Sequence, residues 1–421
     1  MKVLVIGGGG REHAIIRKLK ESKQVSEIYA APGNGGIAAD ATCVNIKATD
    51  IDAMVDFAVK NQIEFAVVAP DDPLVLGMVD AFEQVGIKTF GPNKAAAILE
   101  GSKVFSKQLM KKYHIPTAKY EVFDDPDRAI AYIRSENTYP TVIKADGLAL
   151  GKGVIIAEDF AQAEQAVRSM MEDKIFGESG SHIVIEEFLT GPEVSVLAFT
   201  DSKTVKPMIS SKDHKRAYDN DKGLNTGGMG TIAPNPYYTD EIAEICMKDI
   251  FLPTIKAMEA EGRPFKGCLY FGLMITPNGP KVIEYNCRFG DPETQVVLPL
   301  LKTDLMDIFL AVYEERLSEL DIEWASGAAA CVIMASGGYP QKYQTGLPIA
   351  GLDQNGQTSA ATIYHAGTKK ENDTYLTAGG RVLGVTATGE NLEAALSAAY
   401  NAVKQISFEG CHYRTDIGKI R

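Results

Sequence analysis

The sequence has few cysteines, no long apolar stretch and no excess of basic charge, and each shortage excludes a class of protein. Its six cysteines are spread over 421 residues without a CxxC pair, so we expect neither a zinc centre nor a disulfide framework, and a reducing compartment is favoured. No stretch approaches the roughly 20 apolar residues of a membrane span. The apolar run at the N-terminus is too short for a secretory signal, so a cytoplasmic protein is expected.

The net charge of −12 argues against nucleic acid or an anionic membrane as a partner, because both require a basic face. A hydrophobic content of 45% and a charged content of 23% are typical of a globular protein. The length predicts roughly two to four domains. An anionic substrate would therefore have to be held by a few placed lysines and arginines.

The N-terminus predicts a buried strand that leads through glycines into a helix. Residues 3–6 are apolar, Gly7–Gly10 follow, and residues 11–19 have helical spacing. Free N–H groups at a helix start attract phosphate. The third glycine of a dinucleotide fingerprint is missing, and the strand at 27–31 has no acid at its end. These two failures disfavour NAD and favour a single phosphate at the turn, with an empty tight turn as the alternative.

Further strands at 65–69 and 88–91 are expected to extend a parallel sheet. Ligands of such sheets lie outside the carboxyl ends of the strands. Gly8–Arg11, Asn34–Gly36 and Pro70–Asp72 would then line one crevice. A helix cap is the plain alternative for the two aspartates of the last segment.

Residues 140–156 predict two strands joined by a glycine loop. The backbone of Gly151–Gly153 can approach a phosphate chain closely. The Walker pattern GxxxxGK[ST] is absent and no helix starts there, so a simple hairpin tip is the alternative. The strand at 182–188 ends at Glu186 and Glu187, where one acid could accept hydrogen bonds from ribose hydroxyls.

The strand at 281–285 ends with Glu284 and Asn286 on one face, because side chains alternate along a strand. Oxygen ligands at this spacing suit Mg²⁺. Arg288 lies two residues further on, placed to bind a carboxylate or a phosphate through its planar fork. Together with the glycine loop, these residues predict a site for Mg-ATP.

Other segments supply charge and flexibility. Lys103 and Lys107 are four residues apart on one face of a predicted helix, where a solvated surface is the usual interpretation. A polar segment at 210–216 precedes the glycine-rich residues 223–230, which predict a flexible loop of lid type. From residue 326 the chain is rich in predicted strands and glycines, as in a smaller α+β domain.

These segments resemble the ATP-grasp carboxylate–amine ligases and, more narrowly, the phosphoribosylamine–glycine ligase family. The narrower resemblance runs from residue 1 to about 418. Its motifs are Gly8–His13, Ala31–Asn34, Asp213–Arg216, Asn225–Gly230 and Arg288–Gln295.

The resemblance implies a multidomain fold of mixed α/β and α+β class. Its parts would be an N-terminal Rossmann-like, parallel-sheet (pre-ATP-grasp) substrate domain at 1–101, an ATP-grasp domain at 102–325 and a C-terminal α+β domain at 326–421. A small mobile lobe would occupy about 118–190.

The resemblance also implies a reaction in which ATP, glycine and 5-phosphoribosylamine give ADP, phosphate and glycinamide ribonucleotide through glycyl phosphate. The partners would be small molecules, and the chain a monomer or weak dimer. Two departures from the family pattern stand out: Asp71 replaces the usual glutamate, and residues 270–274 supply no acid as a third metal ligand. The alternatives are an ATP-grasp ligase for another acid or amine, a Rossmann oxidoreductase, and a nucleotide sensor without turnover.

Residue roles follow from the resemblance. It implies catalytic roles for Arg288, Asp213 and Lys144. It implies a site for the metal, Mg²⁺ or Mn²⁺, at Glu284 and Asn286. The residues implied for ATP are Lys103, Lys144, Gly151, Lys152, Gly153, Glu186, Glu187, Phe188, Leu189 and Glu193. The residues implied for the other substrates are Gly8, Gly9, Gly10, Arg11, Asn34, Gly35, Pro70, Asp71, Asp213, Lys215, Asn225, Thr226, Gly227, Gly228, Arg288, Gly290 and Asp291.

Overall fold

The structure, a computed structural model, describes residues 1–148 and 153–419. Its N-terminal part is a five-stranded parallel sheet in the order β3-β2-β1-β4-β5. The strands are β1 (Lys2–Gly7), β2 (Glu27–Pro32), β3 (Thr42–Cys43), β4 (Phe65–Val68) and β5 (Lys88–Phe90). The helices are α1 (Gly10–Leu19), α2 (Ile51–Lys60), α3 (Asp71–Leu76), α4 (Met78–Gln84) and α5 (Lys94–Gly101).

The apolar strands explain why this sheet is central. Val3–Ile6 of β1 and Phe65–Val68 of β4 are buried along their whole length, as expected where helices cover both faces of a parallel sheet. Side chains of Asp50 and Asn93 cap α2 and α5 by accepting backbone N–H groups. The predicted parallel sheet is confirmed.

A second sheet, antiparallel in the order β6-β9-β7-β8, follows the helix α6 (Lys103–Lys112). Its strands are β6 (Tyr120–Phe123), β7 (Thr141–Ala145), β8 (Val154–Ala157) and β9 (Ile183–Glu187). Helices α7 (Pro126–Glu136) and α8 (Phe160–Met171) pack their apolar faces on it. The predicted pair of strands around the glycine loop is confirmed as the β7–β8 hairpin, whereas Gly151 and Lys152 lie outside the described residues.

A third sheet faces the second one and is antiparallel in the order β11-β10-β16-β17. Its strands are β10 (Glu193–Asp201), β11 (Val205–Pro207), β16 (Lys266–Thr276) and β17 (Gly279–Asn286). It packs on α9 (Asp240–Cys246) and α10 (Leu252–Ala260), which are joined by a short π-helical stretch. The rings of Phe251 and Phe271 meet there, with centroids 4.3 Å apart.

The fourth sheet takes strands from both sides of residue 326, in the order β12-β15-β18-β22-β19. Its strands are β12 (Lys212–Asp213), β15 (Gly230–Ala233), β18 (Ala328–Ala335), β19 (Thr362–His365) and β22 (Arg381–Gly389). Two hairpins project from it: β13 (Arg216–Tyr218) with β14 (Lys222–Asn225), and β20 (Thr368–Glu371) with β21 (Thr374–Thr377). The remaining helices are α11 (Thr294–Val297), α12 (Leu305–Tyr313) and α13 (Leu392–Val403).

The glycine-rich segment at 223–230 is more ordered than the sequence predicts. Lys222–Asn225 form β14, and Gly230 begins β15, so only residues 226–229 form a loop. The difference has a physical cause, since the backbone groups on either side find strand partners in Arg216 and Val332. No helix among the described residues is long and apolar enough to cross a membrane.

Candidate active site

The second and third sheets meet where β9 and β17 end, and this cleft holds most of the predicted ATP residues. Thr117 Oγ1 donates to the carbonyl of Val282 at 2.7 Å, and the backbones of the two residues form a parallel bridge. Lys144 Nζ donates to the carbonyl of Ile283 at 3.2 Å. One face of the cleft is therefore tied to the other at the residues that flank Glu284.

Glu186 lies between two buried lysines. Its Oε2 is 3.2 Å from Lys107 Nζ, and its Oε1 is 3.1 Å from Lys144 Nζ. All three side chains are buried. Burial lowers the pKa of Lys107 to about 8, although the charge of Glu186 opposes the shift. Two lysines against one carboxylate leave a local excess of positive charge, which suits a polyphosphate.

Lys107 is a residue that sequence reasoning missed. A solvated surface is the usual interpretation of a lysine at its position, yet it is only 2% exposed and also donates to Thr117 Oγ1 at 2.7 Å. Its four-residue spacing from Lys103 was the available signal, because both lysines point into the cleft from α6. Lys103 Nζ donates to the carbonyl of Gly147 at 2.5 Å, next to the glycine loop.

Glu284 faces the same positive charges from β17. Lys215 Nζ lies 3.3 Å from its Oε1. The charges of Lys215, Lys144 and Lys103 overcome the effect of burial and lower the pKa of Glu284 to about 2. The side chains of Glu284 and Lys215 are 36% and 40% exposed, so an ionised carboxylate is open to a ligand.

Asn286, also on β17, accepts a hydrogen bond from Arg288 Nη2 at 3.3 Å. The described residues contain no group of three or more His, Cys, Asp and Glu that could hold a metal. Glu284 and Asn286 nevertheless supply oxygen donors, one of them held ionised. They fit a hard cation that takes its other ligands from phosphate and water oxygens.

Arg288 is held against two acids. Its Nη2 is 3.2 Å from Glu100 Oε1 and 3.9 Å from Asp71 Oδ2. Its Nε is buried and has no hydrogen-bond partner among the described residues. Glu100 also accepts the backbone N–H of Cys287 at 2.6 Å, and burial raises the pKa of Glu100 to about 7 against the pull of Arg288. Sequence reasoning missed Glu100, since an acid near the end of a helix carries no signal of its own.

The N-terminal crevice lies beside these residues. Arg11 donates to the carbonyl of Phe289 at 3.2 Å, and its backbone N–H lies 3.4 Å from Asp291 Oδ2. A side chain at Gly8 would come within 2.4 Å of the Gly33 carbonyl, so the turn requires glycine there. The structure therefore brings the predicted glycine turn and the segment after β17 together.

Asn34 shapes this crevice through its backbone contacts. Its amide nitrogen donates to the carbonyls of Gly8 and His365, at 3.0 and 2.7 Å. Its amide oxygen accepts the N–H groups of Gly36 and Ile37, at 3.0 and 2.9 Å. The side chain is thus engaged in holding the loop. Gly35 lies in the same loop as Asn34, and Pro70 precedes Asp71, the first residue of α3.

Asp213 and Glu293, here called the acid pair, are close enough for their charges to interact. Burial and the charge of Glu293 raise the pKa of Asp213 well above its usual value. Its Oδ1 accepts the backbone N–H of His214 at 2.7 Å. Glu293 is buried and lies 3.4 Å from Ser195 Oγ. The charges of Lys215 and Arg381 partly oppose the rise, and a further cationic group beside the pair would oppose it more.

Arg381 is a third residue that sequence reasoning missed, because it comes from β22 in the C-terminal part. Its Nη1 donates to the carbonyls of Gly227 and Asp291, each at 2.8 Å, and its Nη2 is 3.5 Å from Asp291 Oδ2. Arg381 therefore links two predicted substrate segments. Gly290 lies in the second of them, where its carbonyl accepts the backbone N–H of Thr294.

The remaining predicted ATP residues lie at the edge of the cleft. Glu187 accepts the backbone N–H of Lys119 at 2.9 Å and pairs with Lys281 at 3.2 Å. Phe188 is 40% exposed. Leu189 follows it, and Glu193 is an exposed residue at the start of β10.

Family models match nearly the whole chain in three consecutive parts. The phosphoribosylglycinamide synthetase N domain matches residues 1–100, the ATP-grasp (A) domain of the same family matches residues 101–294, and its C domain matches residues 329–420.

Curated relatives and solved structures agree with these matches. The chain is 49% identical to the phosphoribosylamine–glycine ligase of Caldanaerobacter subterraneus subsp. tengcongensis, over 99% of each chain. It is 48% identical to that of Haemophilus influenzae, over 99% of this chain and 98% of the other. The crystal structure of the Thermotoga maritima phosphoribosylamine–glycine ligase matches with a TM-score of 0.87 and 33% identity, over 99% of this chain and all of the other.

A more distant structure shares the fold alone. The biotin carboxylase domain of Hydrogenobacter thermophilus 2-oxoglutarate carboxylase matches with a TM-score of 0.76 at 17% identity, over 98% of this chain and 91% of the other. The three family models and the full-length relatives show that the chain belongs to the phosphoribosylglycinamide synthetase family.

Proposed function

We propose that this chain joins glycine to 5-phosphoribosylamine at the expense of ATP and releases glycinamide ribonucleotide, ADP and phosphate, a step of purine biosynthesis. One observation carries the assignment to ATP chemistry. Lys103, Lys144 and Lys215 surround the ionised Glu284 in a cleft between two antiparallel sheets. The family supplies the identity of the acid and the amine.

ATP binds in the cleft between the second and third sheets. The excess positive charge at Lys107, Lys144 and Lys103 neutralises the phosphates. The adenosine lies toward Glu187 and Phe188 at the rim. Polyphosphates are held mainly by such positioning and charge neutralisation.

Glu284 and Asn286 hold the divalent cation, which we take to be Mg²⁺ or Mn²⁺. When bound, the cation neutralises charge on the phosphates. The protein adds few ligands of its own, so the nucleotide and the cation bind as one unit. Removal of divalent cations with a chelator is therefore expected to weaken ATP binding as well as to abolish turnover.

The phosphate of phosphoribosylamine binds at the Gly8–Arg11 turn. The amine of phosphoribosylamine then points toward Arg288, whose buried Nε has no hydrogen-bond partner among the described residues. Glycine lies between Arg288, which takes its carboxylate, and the acid pair of Asp213 and Glu293, which takes its ammonium group. Opposite charges thus meet at the two ends of glycine.

The reaction passes through glycyl phosphate. A glycine carboxylate oxygen attacks the γ-phosphorus, and the bond from that phosphorus to the ADP oxygen breaks. The amine nitrogen of phosphoribosylamine then attacks the carbonyl carbon, and phosphate leaves while the nitrogen loses one proton. No nucleophilic serine or cysteine is required, because ATP itself activates the carboxylate. Positioning is the main task of the protein.

An assay of ADP release tests the assignment. We expect release that depends on both glycine and phosphoribosylamine. Activity with another amino acid and none with glycine would point to a different ATP-grasp ligase. A Glu284→Gln variant is expected to keep its fold and lose turnover, whereas a nucleotide sensor without turnover would show no activity to lose.

Isotope transfer tests the intermediate. Glycine labelled with ¹⁸O in its carboxylate should pass one labelled oxygen to the released phosphate, because that oxygen becomes the bridge of glycyl phosphate. Phosphate without label would contradict the acyl phosphate route while leaving the overall reaction intact.

A further inference from the structure

Residues 412–418 lie against the hairpin of β13 and β14, which leads into the substrate loop. Residues 412–418, here called the C-terminal strap, follow α13 and run beside β13. The ring Nε2 of His412 donates to the carbonyl of Ala217 at 2.6 Å. Arg414 Nη1 donates to the carbonyl of Arg216 at 3.1 Å. The strap thus contacts the backbone of the hairpin directly.

Arg414 is the centre of this contact. Its side chain is only 1% exposed, although it carries a charged guanidinium group. Its Nη2 pairs with Asp221 at the hairpin turn, 2.9 Å away. Its Nε donates to Asp416 of the strap at 2.8 Å, and Asp416 in turn accepts the backbone N–H of Asn220 at 2.9 Å. A planar guanidinium suits such a site because its fork can serve several acceptors at once.

The strap also contacts His214, which lies between the predicted substrate-binding residues Asp213 and Lys215. His214 Nδ1 donates to the carbonyl of Gly230 at 3.0 Å, and its Nε2 accepts the backbone N–H of Gly418 at 3.1 Å. A ring that donates at one nitrogen and accepts at the other is neutral. Burial agrees with this state, because it lowers the pKa of His214 to about 4. Asp213 and Lys215 flank this fixed ring.

In the described part of the chain, the hairpin does not belong to a larger sheet. Its strands form a sheet of their own with two members, and such hairpins are marginally stable alone in water. Tyr218 and Leu224 are about half exposed, at 50% and 51%. A hairpin with exposed apolar side chains and two strands needs an anchor, and the strap supplies one.

The hairpin leads directly into the substrate loop, residues 225–228. The backbone N–H and the hydroxyl of Thr226 both donate to the carbonyl of Lys215, each at 2.8 Å. A side chain at Gly228, whose φ is +122°, would come within 2.7 Å of Asp213 Oδ1. Movement of the hairpin would therefore displace the loop, Lys215 and Asp213 together.

We propose that the C-terminal strap positions the substrate loop and that Arg414 is its main positioning residue. The inference rests on the proposed function for the identity of the substrates. Arg414 acts through the hairpin, since its hydrogen bonds go to the hairpin and the strap. The strap then affects the affinity for glycine and phosphoribosylamine more than the affinity for ATP, because Lys103, Lys107 and Lys144 reach the phosphates from α6 and β7.

An Arg414→Met variant tests the proposal, because methionine keeps an unbranched side chain and removes the charge and the hydrogen bonds. We expect KM for glycine and phosphoribosylamine to rise about tenfold or more, as for a misplaced substrate contact. The Kd for ATP should rise by a smaller factor, because Lys215 is the one of the three lysines around Glu284 that adjoins the hairpin. Arg414→Lys should recover part of the substrate affinity, since lysine keeps the positive charge but lacks the planar guanidinium.

Two further measurements keep the test decisive. Arg316→Met is the matched control, because Arg316 makes exposed ion pairs with Glu314 and Glu319 and should leave every constant unchanged. Asp221→Asn removes the charge that pairs with Arg414 on the hairpin side and leaves the bond to the Arg216 carbonyl, so KM should shift in the same direction by a smaller factor. It serves in place of Arg414→Met if that variant fails to fold.

Hydrogen exchange separates this proposal from the proposed function. Faster exchange at residues 216–228 in Arg414→Met, with unchanged exchange in β7 and β17, supports the strap even if the substrates prove to be others. Unchanged exchange in the hairpin, or an equal loss of ATP and glycine affinity, overturns it. A wild-type enzyme inactive with glycine would overturn the proposed function alone.

Discussion

Arg288 and Glu100 share a buried contact in which the Nη2 and Oε1 atoms are 3.2 Å apart. Burial raises the pKa of Glu100 to about 7, and the charge of Arg288 only partly opposes this rise. A buried carboxylate of this kind costs stability whenever it is ionised, even beside an arginine. Glu100 therefore makes the stability of the protein depend on pH at neutral values.

A Glu100→Gln variant should reveal this dependence. The pKa of Glu100 is higher in the folded state than its ordinary value of 4.5. The protonated side chain therefore contributes stability that is fully present below pH 4.5 and is lost as pH rises through about 7. We expect the free energy of unfolding of the wild type to fall by on the order of 3 kcal/mol relative to that of Glu100→Gln between pH 5 and 8. Denaturant unfolding at each pH measures the difference.

Glu319→Gln is the control for that experiment, because Glu319 is 68% exposed. Its stability should follow the wild type at every pH. Parallel curves for the wild type and Glu100→Gln would show that Glu100 has an ordinary pKa in the folded protein.

A second prediction about a single side chain concerns Lys107. Replacing it with methionine removes one of the two cations beside Glu186, and the charge left for a polyphosphate falls. The loss of a charge-assisted contact should weaken ATP binding about tenfold or more. Calorimetric titration with ATP measures the change. Lys111 is an exposed lysine on the same helix, so the control variant Lys111→Met should bind ATP like the wild type.

The strands β16 and β17 show how an element places a functional group. Their register shifts between Gly272 and Leu273, opposite Glu284. A Cβ atom at Gly272 would lie 3.0 Å from Cγ of Glu284, which is tighter than an ordinary contact. The irregular register and the missing side chain together leave Glu284 room beside Lys215.

A Gly272→Ala variant should therefore move Glu284 by a few tenths of an ångström. We expect kcat/KM to fall about tenfold, since catalytic geometry tolerates little displacement, while the free energy of unfolding changes by less than about 1 kcal/mol. Steady-state kinetics and denaturant unfolding measure the two effects. Gly101→Ala is the control, because its Cβ would meet Val75 at an ordinary 3.4 Å. Equal kinetics for both variants would contradict this role of Gly272.

The three regions matched by family models share packing in the whole molecule. The fourth sheet pairs β15 with β18, across residue 326. The N-terminal helix α1 also reaches the C-terminal part, since His13 Nδ1 accepts the backbone N–H of His365 at 2.8 Å. Contacts of this kind make the C-terminal part a structural support for the site.

A chain cut at residue 325 tests this support. The fragment 1–325 keeps the cleft residues but exposes the edge of β15, where backbone groups lose their partners in β18. We expect it to aggregate or to unfold without a cooperative transition, and co-expression with 326–421 to restore a soluble complex. Thermal unfolding and gel filtration measure both outcomes. A soluble fragment with the melting temperature of the full chain would contradict the prediction.

The sequence by itself determined what depends on neighbouring residues. Apolar runs predicted the parallel N-terminal sheet, and glycines between strands predicted the β7–β8 hairpin. The alternation of a strand placed Glu284 and Asn286 on one face. The family motifs are likewise continuous stretches. Each of these signals lies within a few residues, so no knowledge of packing was needed.

Only the tertiary structure decided which distant residues join them. Glu100 and Arg381 reach the site from α5 and β22, and Arg414 reaches the substrate hairpin from the end of the chain. Lys107 was visible in the sequence, but its burial was not. Long-range contacts depend on how sheets pack and on which charges are removed from water together. Local pattern carries no record of that packing, which is why the parts of the site contributed by distant segments emerged from the fold.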